Sequence, residues 1–494
     1  MNLLLFQIHL YKLESLEKQL GKLNEYNVYL IEEPFYMFQE DYKYHRMKLI
    51  YHRATMKKYS EYLNENGIKH KYIDFDLANK LYKKLKSGKN YILDFFDFKL
   101  EAKLNKLFNF EIISGFNFTL TKQDILDNQT IFYKNGKMNF MNFYKWQRTR
   151  LNILMASVNK PLTGKWVYDT DNRKKIINHE FINKTNPINN SFILEAKKYI
   201  NNNPLFKNNY GNDEIYYPID FENTKIWFKN FMKNKLLNFG DYQDACLKTL
   251  DDPFLYHSAI TPMLNIGLIT DNEIIDYFNK FYKKNPNIGF NSYEGFIRQL
   301  IGWRNYIYAS YILLHKLENN NNLQNNNKIN KELIWKGETG ILFIDNIMKK
   351  IWKFAYIHHI ERLMYLGCFL LLLQIKPQEV YNLFMEWTID AYNWVMFGNV
   401  YGMSQYSIDS LMKRPYFCSS NYIIRMSNYK YDTYMDIFDA LYYNFIVKKY
   451  ALIKNNYMFA SQYKHWQKKT PEQQKEILSI AKNFINKICI NKAN

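Results

Sequence analysis

The pattern of apolar and polar positions divides the chain into two unlike halves. In the first, short apolar runs predict strands at residues 2–8, 27–31, 48–51 and 69–74, the last ending in acid. Between them, residues 11–23 and 55–66 carry apolar side chains at helical intervals. Alternating strands and helices predict a parallel sheet covered by helices, ending between residues 114 and 127. Over 128–212 the periodicity fades, which predicts a long connector wrapped on the surface. From residue 217 onward spacings of three and four predict helices over 225–237, 271–281, 293–317 and 343–373. The run NNNNLQNNN at 319–327 is low in complexity and predicts a disordered loop. The expected domains are thus 1–127 (α/β), 128–216 (connector) and 217–494 (all-α).

Composition narrows the class. At 494 residues, 47 % hydrophobic, with 17 Gly and 11 Pro, the chain is too apolar for disorder and too poor in Gly and Pro for a fibre. Four cysteines exclude a disulfide scaffold, and no apolar run reaches the roughly 20 residues that span a bilayer. The opening MNLLLFQIHLYK lacks a basic start and a small-residue cleavage site, so a soluble intracellular protein is expected. The net charge of +20 fits either a polyanion partner or an Asn/Lys/Ile/Tyr-rich, AT-biased coding sequence. Within the connector, FYKWQRTRLNILM (143–155) offers Arg148 and Arg150 as phosphate contacts, with Arg173 further on; a solvated basic face is the plainer reading.

No Gly-rich phosphate loop, helical metalloprotease motif or close cysteine pair is present. Cys246, Cys368, Cys418 and Cys489 lie far apart in sequence and read as buried thiols, so no metal is expected. Three stretches carry candidate chemistry. In 254–270, His257, Ser258 and Thr261 precede an apolar helix, an arrangement suited to a diphosphate and equally to ordinary capping. In 296–306, Gln299 and Trp303 share a helix face that suits a flat ring or plain core packing. In 339–364, His358 and His359 precede Arg362; adjacent residues on one helix point apart, so at most one is expected in a given pocket.

Taken in order, GDYQDA (240–245), HSAITPMLNIGL (257–268), RQLIGWRNY (298–306), AYIHHIERLM (355–364), DAYNWVMFGNVYGMSQ (390–405) and RPYFCSSNYIIRMSNY (414–429) resemble the cryptochrome/photolyase superfamily, closest to its prokaryotic-type (6-4), photolyase-related branch. LLLFQIHLY, EEPFYMF and YHRATMKKY extend the resemblance into the first half. It implies an N-terminal α/β antenna domain with a Rossmann-like parallel sheet and a large all-α C-terminal FAD-binding domain. By the resemblance, Tyr242, His257, Ser258, Ile260, Thr261 and Leu264 surround the FAD phosphates and ribityl chain, and Gln299 and Trp303 lie along the flavin. Arg362, Asp390 and Asn399 approach it, and His359, with His358 beside it, flanks the lesion. Tyr401, Met403 and Tyr422 would wall a flipped base pair, and Lys413, Arg414, Arg425 and Lys430 would meet DNA phosphates.

Three departures stand out. The branch commonly holds a four-cysteine iron–sulfur cluster. One ligand would fall near Phe343 and three within KYDTYMDIFDALYY (430–443), where no cysteine stands, so no cluster is expected. Trp335 matches one aromatic of the branch's electron chain, but its partners would fall at Leu383 and Phe384; Trp352, Trp387 and Trp394 are alternative relays. Asn305, Asn393 and Met396 occupy positions that are often acidic. The resemblance therefore implies a monomeric, light-driven lyase that repairs (6-4) photoproducts in UV-damaged DNA with reduced FAD. Alternatives are repair of cyclobutane dimers, or a cryptochrome-like photoreceptor without repair, which the lack of a long signalling tail weakens. A lumazine, deazaflavin or pterin antenna is possible at the end of the first strand and Glu33.

Overall fold

The structure, a computed structural model, describes residues 1–176, 185–412 and 415–490. Five strands, β1 (Asn2–Leu5), β2 (Asn27–Ile31), β3 (His70–Ile73), β4 (Asn90–Leu93) and β5 (Glu111–Ile113), form a sheet of order β3-β2-β1-β4-β5. Every pair is parallel; Leu3 lies beside Val28 on one side and Tyr91 on the other. β1 is central and its Leu3, Leu4 and Leu5 are fully buried, as a strand covered on both faces requires. Helices α1 (Leu13–Leu20), α2 (Arg46–Glu65), α3 (Ala78–Lys84) and α4 (Phe98–Asn105) make the crossovers. β4 and β5 are not among the expected strands.

The expected strand at 48–51 is instead part of α2. All ten residues from Met47 to Met56 are buried, so the helix shows no polar stripe and reads as a buried strand. The cause is tertiary: α2 is covered by α7 (Ser191–Asn202) and also meets the second half, Tyr51 Oη donating to the Pro218 carbonyl at 2.9 Å. The connector likewise holds regular helices, α5 (Lys122–Phe132) and α6 (Phe140–Leu151), besides α7. The buried face of α6 includes Gln147 and Arg148, which blurs its apolar period.

The rest is mostly helical. α8 (Phe221–Asn234) and α9 (Leu236–Tyr242) precede α10 (Thr261–Ile266), α11 (Asp271–Lys284), α12 (Phe290–Ile297) and α13 (Asn305–Leu314). α14 (Lys331–Lys336), α15 (Leu342–Phe354), α16 (Cys368–Leu372), α17 (Pro377–Trp387) and α18 (Asn393–Met396) follow. The chain then runs through α19 (Ser420–Met426), α20 (Thr433–Ile453), α21 (Tyr457–Gln467) and α22 (Pro471–Ile488). Three π-helical stretches, Arg298–Arg304, Glu361–Gly367 and Phe397–Ser404, interrupt this order. Such bulges gather at functional sites because the extra residue per turn redirects side chains.

The helix expected over 343–373 is broken. Ala355 takes a left-handed φ of 49°, and residues 356–358 leave the helix. The freed Ala355 carbonyl accepts from the Ile389 amide at 2.9 Å. The Asn-rich run is not a disordered loop: Leu323 and Asn325 are buried, and Asn327 bonds the Gln374 carbonyl at 3.0 Å. Asn amides close this loop by bonding its own backbone, which composition cannot reveal. Among the described residues no helix is long and apolar enough to cross a membrane.

Candidate active site

The break after α15 decides where the histidines lie. Because residues 356–358 are not helical, His358 and His359 do not diverge as they would on one helix. Both turn toward His257, in the segment before α10. The His257 and His358 rings stack at 4.6 Å with planes 14° apart; the His359 ring lies 5.5 Å and 5.9 Å from them, steeply inclined. The expectation that only one could face a pocket is thus corrected.

Each imidazole is anchored from one side. His358 Nε2 lies 3.5 Å from Cys246 Sγ and 3.5 Å from Glu361 Oε2, and Glu361 also binds Lys350 at 2.5 Å. His359 Nε2 lies 3.5 Å from Asp244 Oδ1, with a third of its side chain exposed. His257 Nε2 and His358 Nδ1 are buried without a partner. Burial, reinforced by the neighbouring His359 and Lys350, holds both His257 and His358 well below the usual imidazole range. Both are neutral at pH 7, each with a free ring nitrogen. All three residues bring a nitrogen within 4.8 Å of the others.

A second centre adjoins the first. Asp390, on the loop between α17 and α18, receives Arg362 Nη2 at 3.1 Å and Thr261 Oγ1 at 2.8 Å. Its carbonyl accepts from Asn265 of α10 at 3.0 Å, and Asn265 in turn receives Arg304. Arg304 closes on buried Asp271, which also takes the Asn305 amide at 3.0 Å. Gly267, left-handed at φ 94°, ends α10 where a Cβ would strike the Tyr11 ring at 2.7 Å. Arg362 Nε remains buried and unpaired.

The other expected ligand contacts spread around these centres. Tyr242 stacks on Tyr256 at 5.4 Å, and the Ser258 carbonyl accepts from Trp227 at 2.7 Å. Ile260 is the N-cap of α10, without a side-chain bond, and Leu264 is buried within it. Gln299 and Trp303 sit on the first π-helical stretch, where Trp303 stacks on Phe140 at 3.9 Å. Asn399 bonds the Val395 carbonyl of its own helix at 2.9 Å rather than the histidines. Tyr401 and Met403 are buried on the third π-helical stretch, and Tyr422 is half-buried. A cavity of about 300 Å³ opens beside His257 and Ser258, walled by Trp227, Phe231 and Asn230.

Three tryptophans form a path. Fully buried Trp387, three residues before Asp390, lies 6.0 Å from Trp335, which lies 5.9 Å from Trp352, itself 43 % exposed. Trp394 does not join them; it packs on Phe118 at 4.8 Å and under the Arg304 guanidinium at 4.9 Å.

The basic residues separate. Arg148 cannot reach DNA: it is fully buried and its guanidinium binds the carbonyls of Ile153, Leu154 and Trp166. It closes the C-terminal turn of α6, which the exposed look of the segment concealed. Arg150 is exposed but bonds Thr119 and Gln147, and Arg173 pairs with Asp169 and Asp244. Arg425 and Lys430 are exposed. Lys413 and Arg414 lie outside the described residues.

At Phe343, where the resemblance would put one cluster ligand, the surroundings are aromatic. Phe343 meets Tyr365 at 5.7 Å, Tyr429 at 6.2 Å, Tyr434 at 6.2 Å and Phe438 at 5.1 Å. These rings offer no thiolate, so the residues present do not fit the cluster. All four cysteines are free and buried; Cys368 and Cys418 Sγ approach to 3.9 Å.

Sequence reasoning did not single out Lys48, Asp244 or Glu361, and it read Cys246 as a buried thiol without its place beside His358. Glu361 follows His358 at i+3, which helical spacing could have flagged.

Residues 6–215 match the family model described as deoxyribodipyrimidine photo-lyase-related protein, and residues 296–493 match the FAD binding domain of DNA photolyase. A (6-4) photolyase of Agrobacterium fabrum is 34 % identical over 269 residues, covering 52 % of this chain and 52 % of that relative. The chain therefore matches about half of that relative's length. A bacterial class III photolyase from Agrobacterium tumefaciens superposes with a TM-score of 0.55 at 15 % identity, over 86 % of this chain and 83 % of the other. A Synechocystis sp. PCC6803 cryptochrome does so at 0.56 and 11 % identity, over 97 % and 93 %. These two likenesses speak for the fold. The parallel sheet, the helical half and the two family matches lead to one conclusion: the chain belongs to the cryptochrome/photolyase superfamily, in its photolyase-related branch.

Proposed function

We propose that the protein is a DNA photolyase that binds FAD in its helical half and repairs (6-4) photoproducts under blue light. Bound reduced FAD supplies a photoexcited electron to the lesion. The observation that carries the reading is the histidine group: two neutral buried imidazoles behind a third that reaches solvent. His359, beside the Asp244 carboxylate, holds and gives up a proton at the edge of a flipped lesion. His358 buttresses it, and Glu361 and Cys246 keep the buttress in place.

The residues fit FAD. Arg362 Nε and His257 Nε2 are buried polar atoms awaiting a partner, and the 300 Å³ cavity beside His257 extends the space. In this reading Asp390 and Arg362 orient the ring, Gln299 and Trp303 lie along it, and His257, Ser258 and Thr261 serve the phosphate side. Trp387, Trp335 and Trp352 carry electrons inward. Arg425, Lys430 and Arg150 meet the DNA backbone. Residues 1–127 act as antenna domain, 128–216 as connector and 217–494 as catalytic domain.

For an antenna pigment, the end of the first strand is a poor host. Glu33 is fully buried and bound by Tyr82, the Phe35 amide and Lys103, and Gln7 bonds its backbone. A cavity of about 310 Å³ at the ends of β4 and β5, facing Tyr308 of α13, is the better candidate. Burial raises its Asp94 to about 6 and Asp97 to about 7, so both can donate as well as accept near neutral pH.

The test is repair of two oligonucleotides, one with a (6-4) lesion and one with a cyclobutane dimer, by the FAD-loaded, reduced protein under blue light. Repair of the first is expected, with His359→Ala slower by about 100-fold or more. Repair of the second alone would move the assignment to the other lesion. Bound FAD with neither repaired would favour a photoreceptor, in keeping with the cryptochrome among the structural neighbours.

A further inference from the structure

One charged side chain from the α/β half reaches the Asp390 loop. Lys48, in the first turn of α2, is 1 % exposed. Its Nζ donates to the Ala391 carbonyl at 2.5 Å. It also lies 4.5 Å and 4.8 Å from the ring centres of Tyr44 and Tyr392. Among the described residues it forms no ion pair. An ammonium buried against one carbonyl and two aromatic faces is poorly compensated, and such groups are costly to keep.

The loop it grips is held from several directions. Arg362 and Thr261 hold the Asp390 carboxylate, Asn265 holds the Asp390 carbonyl, and Lys48 holds the next carbonyl along. The first three come from the helical half; Lys48 comes from the other. One turn on, His52 Nε2 lies 3.5 Å from Tyr392 Oη. Asp390 is the charge that most favours the ammonium.

We propose that Lys48 is a positioning residue for the flavin-site carboxylate: it fixes the Ala391 carbonyl, one residue beyond Asp390, from the α/β half and adds a positive charge to the pocket. The inference rests on the reading that FAD binds beside Asp390. A positive charge there favours the more electron-rich, reduced form of the ligand over the oxidised form. Burial lowers the Lys48 ammonium to about 7, against the opposing pull of Asp390. The charge is therefore present in mild acid and lost in mild base. The titratable groups facing it are Tyr44, His52, Asp390 and Tyr392, with Arg362 behind Asp390.

Two variants separate the roles. Lys48→Met removes both the bond and the charge; Lys48→Gln keeps a donor for the Ala391 carbonyl but no charge. FAD binding is read by fluorescence titration and the midpoint potential by spectroelectrochemistry, from pH 6 to pH 9 (both pH values are roughly one to two units either side of the lysine's titration). Lys48→Met is expected to weaken FAD binding about tenfold, by the logic of a lost charge-assisted hydrogen bond. It should also reduce the preference for reduced FAD about tenfold at pH 6, a fall of about 30 mV for a two-electron couple. Lys48→Gln should recover binding but keep the lower potential. Wild type and both variants should converge in potential at the alkaline end. Folded Lys48→Met with wild-type affinity and potential would overturn the proposal. So would a potential gap that persists unchanged in base. Should Lys48→Met not fold, Lys48→Gln decides: wild-type potential at low pH would overturn the charge role. Failure of the wild-type chain to bind FAD would instead remove the reading on which the inference rests.

Discussion

Arg362 and Asp390 form a buried ion pair, Nη2 to Oδ1 at 3.1 Å, that ties the π-helical stretch after the histidines to the loop before α18. The same nitrogen also donates to the Ile357 carbonyl at 3.1 Å, so the pair fixes the chain just ahead of His358. Removing the carboxylate leaves a guanidinium buried without a counter-charge. Asp390→Ala is expected to lower unfolding free energy by about 3–5 kcal/mol in denaturant titration, and Asp390→Asn by less.

The tryptophan path makes a selective prediction. Trp335→Phe and Trp352→Phe should both slow light-driven reduction of bound FAD, measured as bleaching under blue light with an external donor. Trp394→Phe should not, because Trp394 packs against Phe118 and Arg304 away from the path. Equal slowing by all three would contradict the route.

The aromatic cluster around Phe343 should behave as core. Phe343→Ala is expected to cost about 3–5 kcal/mol of stability by chemical denaturation. Metal analysis of the purified wild-type protein should find no stoichiometric iron, and a chelator should leave its melting temperature unchanged.

Arg148 and Arg425 should part company. Arg148→Ala strands three backbone carbonyls, two of them well buried, and is expected to destabilise by about 3 kcal/mol or more. Arg425→Gln should leave stability alone, weaken DNA binding across sequences and reduce the salt slope of binding by about 1. Melting curves and binding isotherms at several salt concentrations check both.

His45 gives an acid dependence with a definite sign. Its Nδ1 accepts from the Met47 amide and its Nε2 faces the Trp352 carbonyl, so the folded protein needs the neutral ring. Burial lowers it from 6.5 to about 4. The unfolded chain takes up a proton first, so stability is full above pH 6.5 and declines as pH falls toward 4. His45→Asn keeps an acceptor for the cap and does not titrate. The variant's deficit should therefore narrow by about 3 kcal/mol between pH 7 and pH 4, read from paired melting curves.

Much of this was legible along the chain, and for a physical reason. Strands such as Asn27–Ile31 show as short apolar runs, and amphipathic helices such as Asp271–Lys284 display a period set by one buried face; both signals are written locally. The ordered motifs carried the family, because a cofactor site demands particular side chains at particular spacings. Residues 48–51 misled because α2 is covered on every side from Met47 to Met56, and burial from all directions erases the period. Arg148 misled because a buried guanidinium and a solvent-facing one look alike in sequence; only its carbonyl partners distinguish them.

By itself, then, the sequence determined the alternation of β and α in the first half and the helices of the second, and it pointed to His257, His358, His359, Arg362 and Asp390 as the residues to watch. Tertiary structure decided how they meet. The left-handed Ala355 swings two adjacent histidines, His358 and His359, onto His257, far away in sequence. Three tryptophans from different helices fall into line, and Lys48 crosses from one half to reach the other. Local periodicity records which face of an element is buried. It holds no record of which distant side chain lies against that face, and that is the information chemistry at this site depends on.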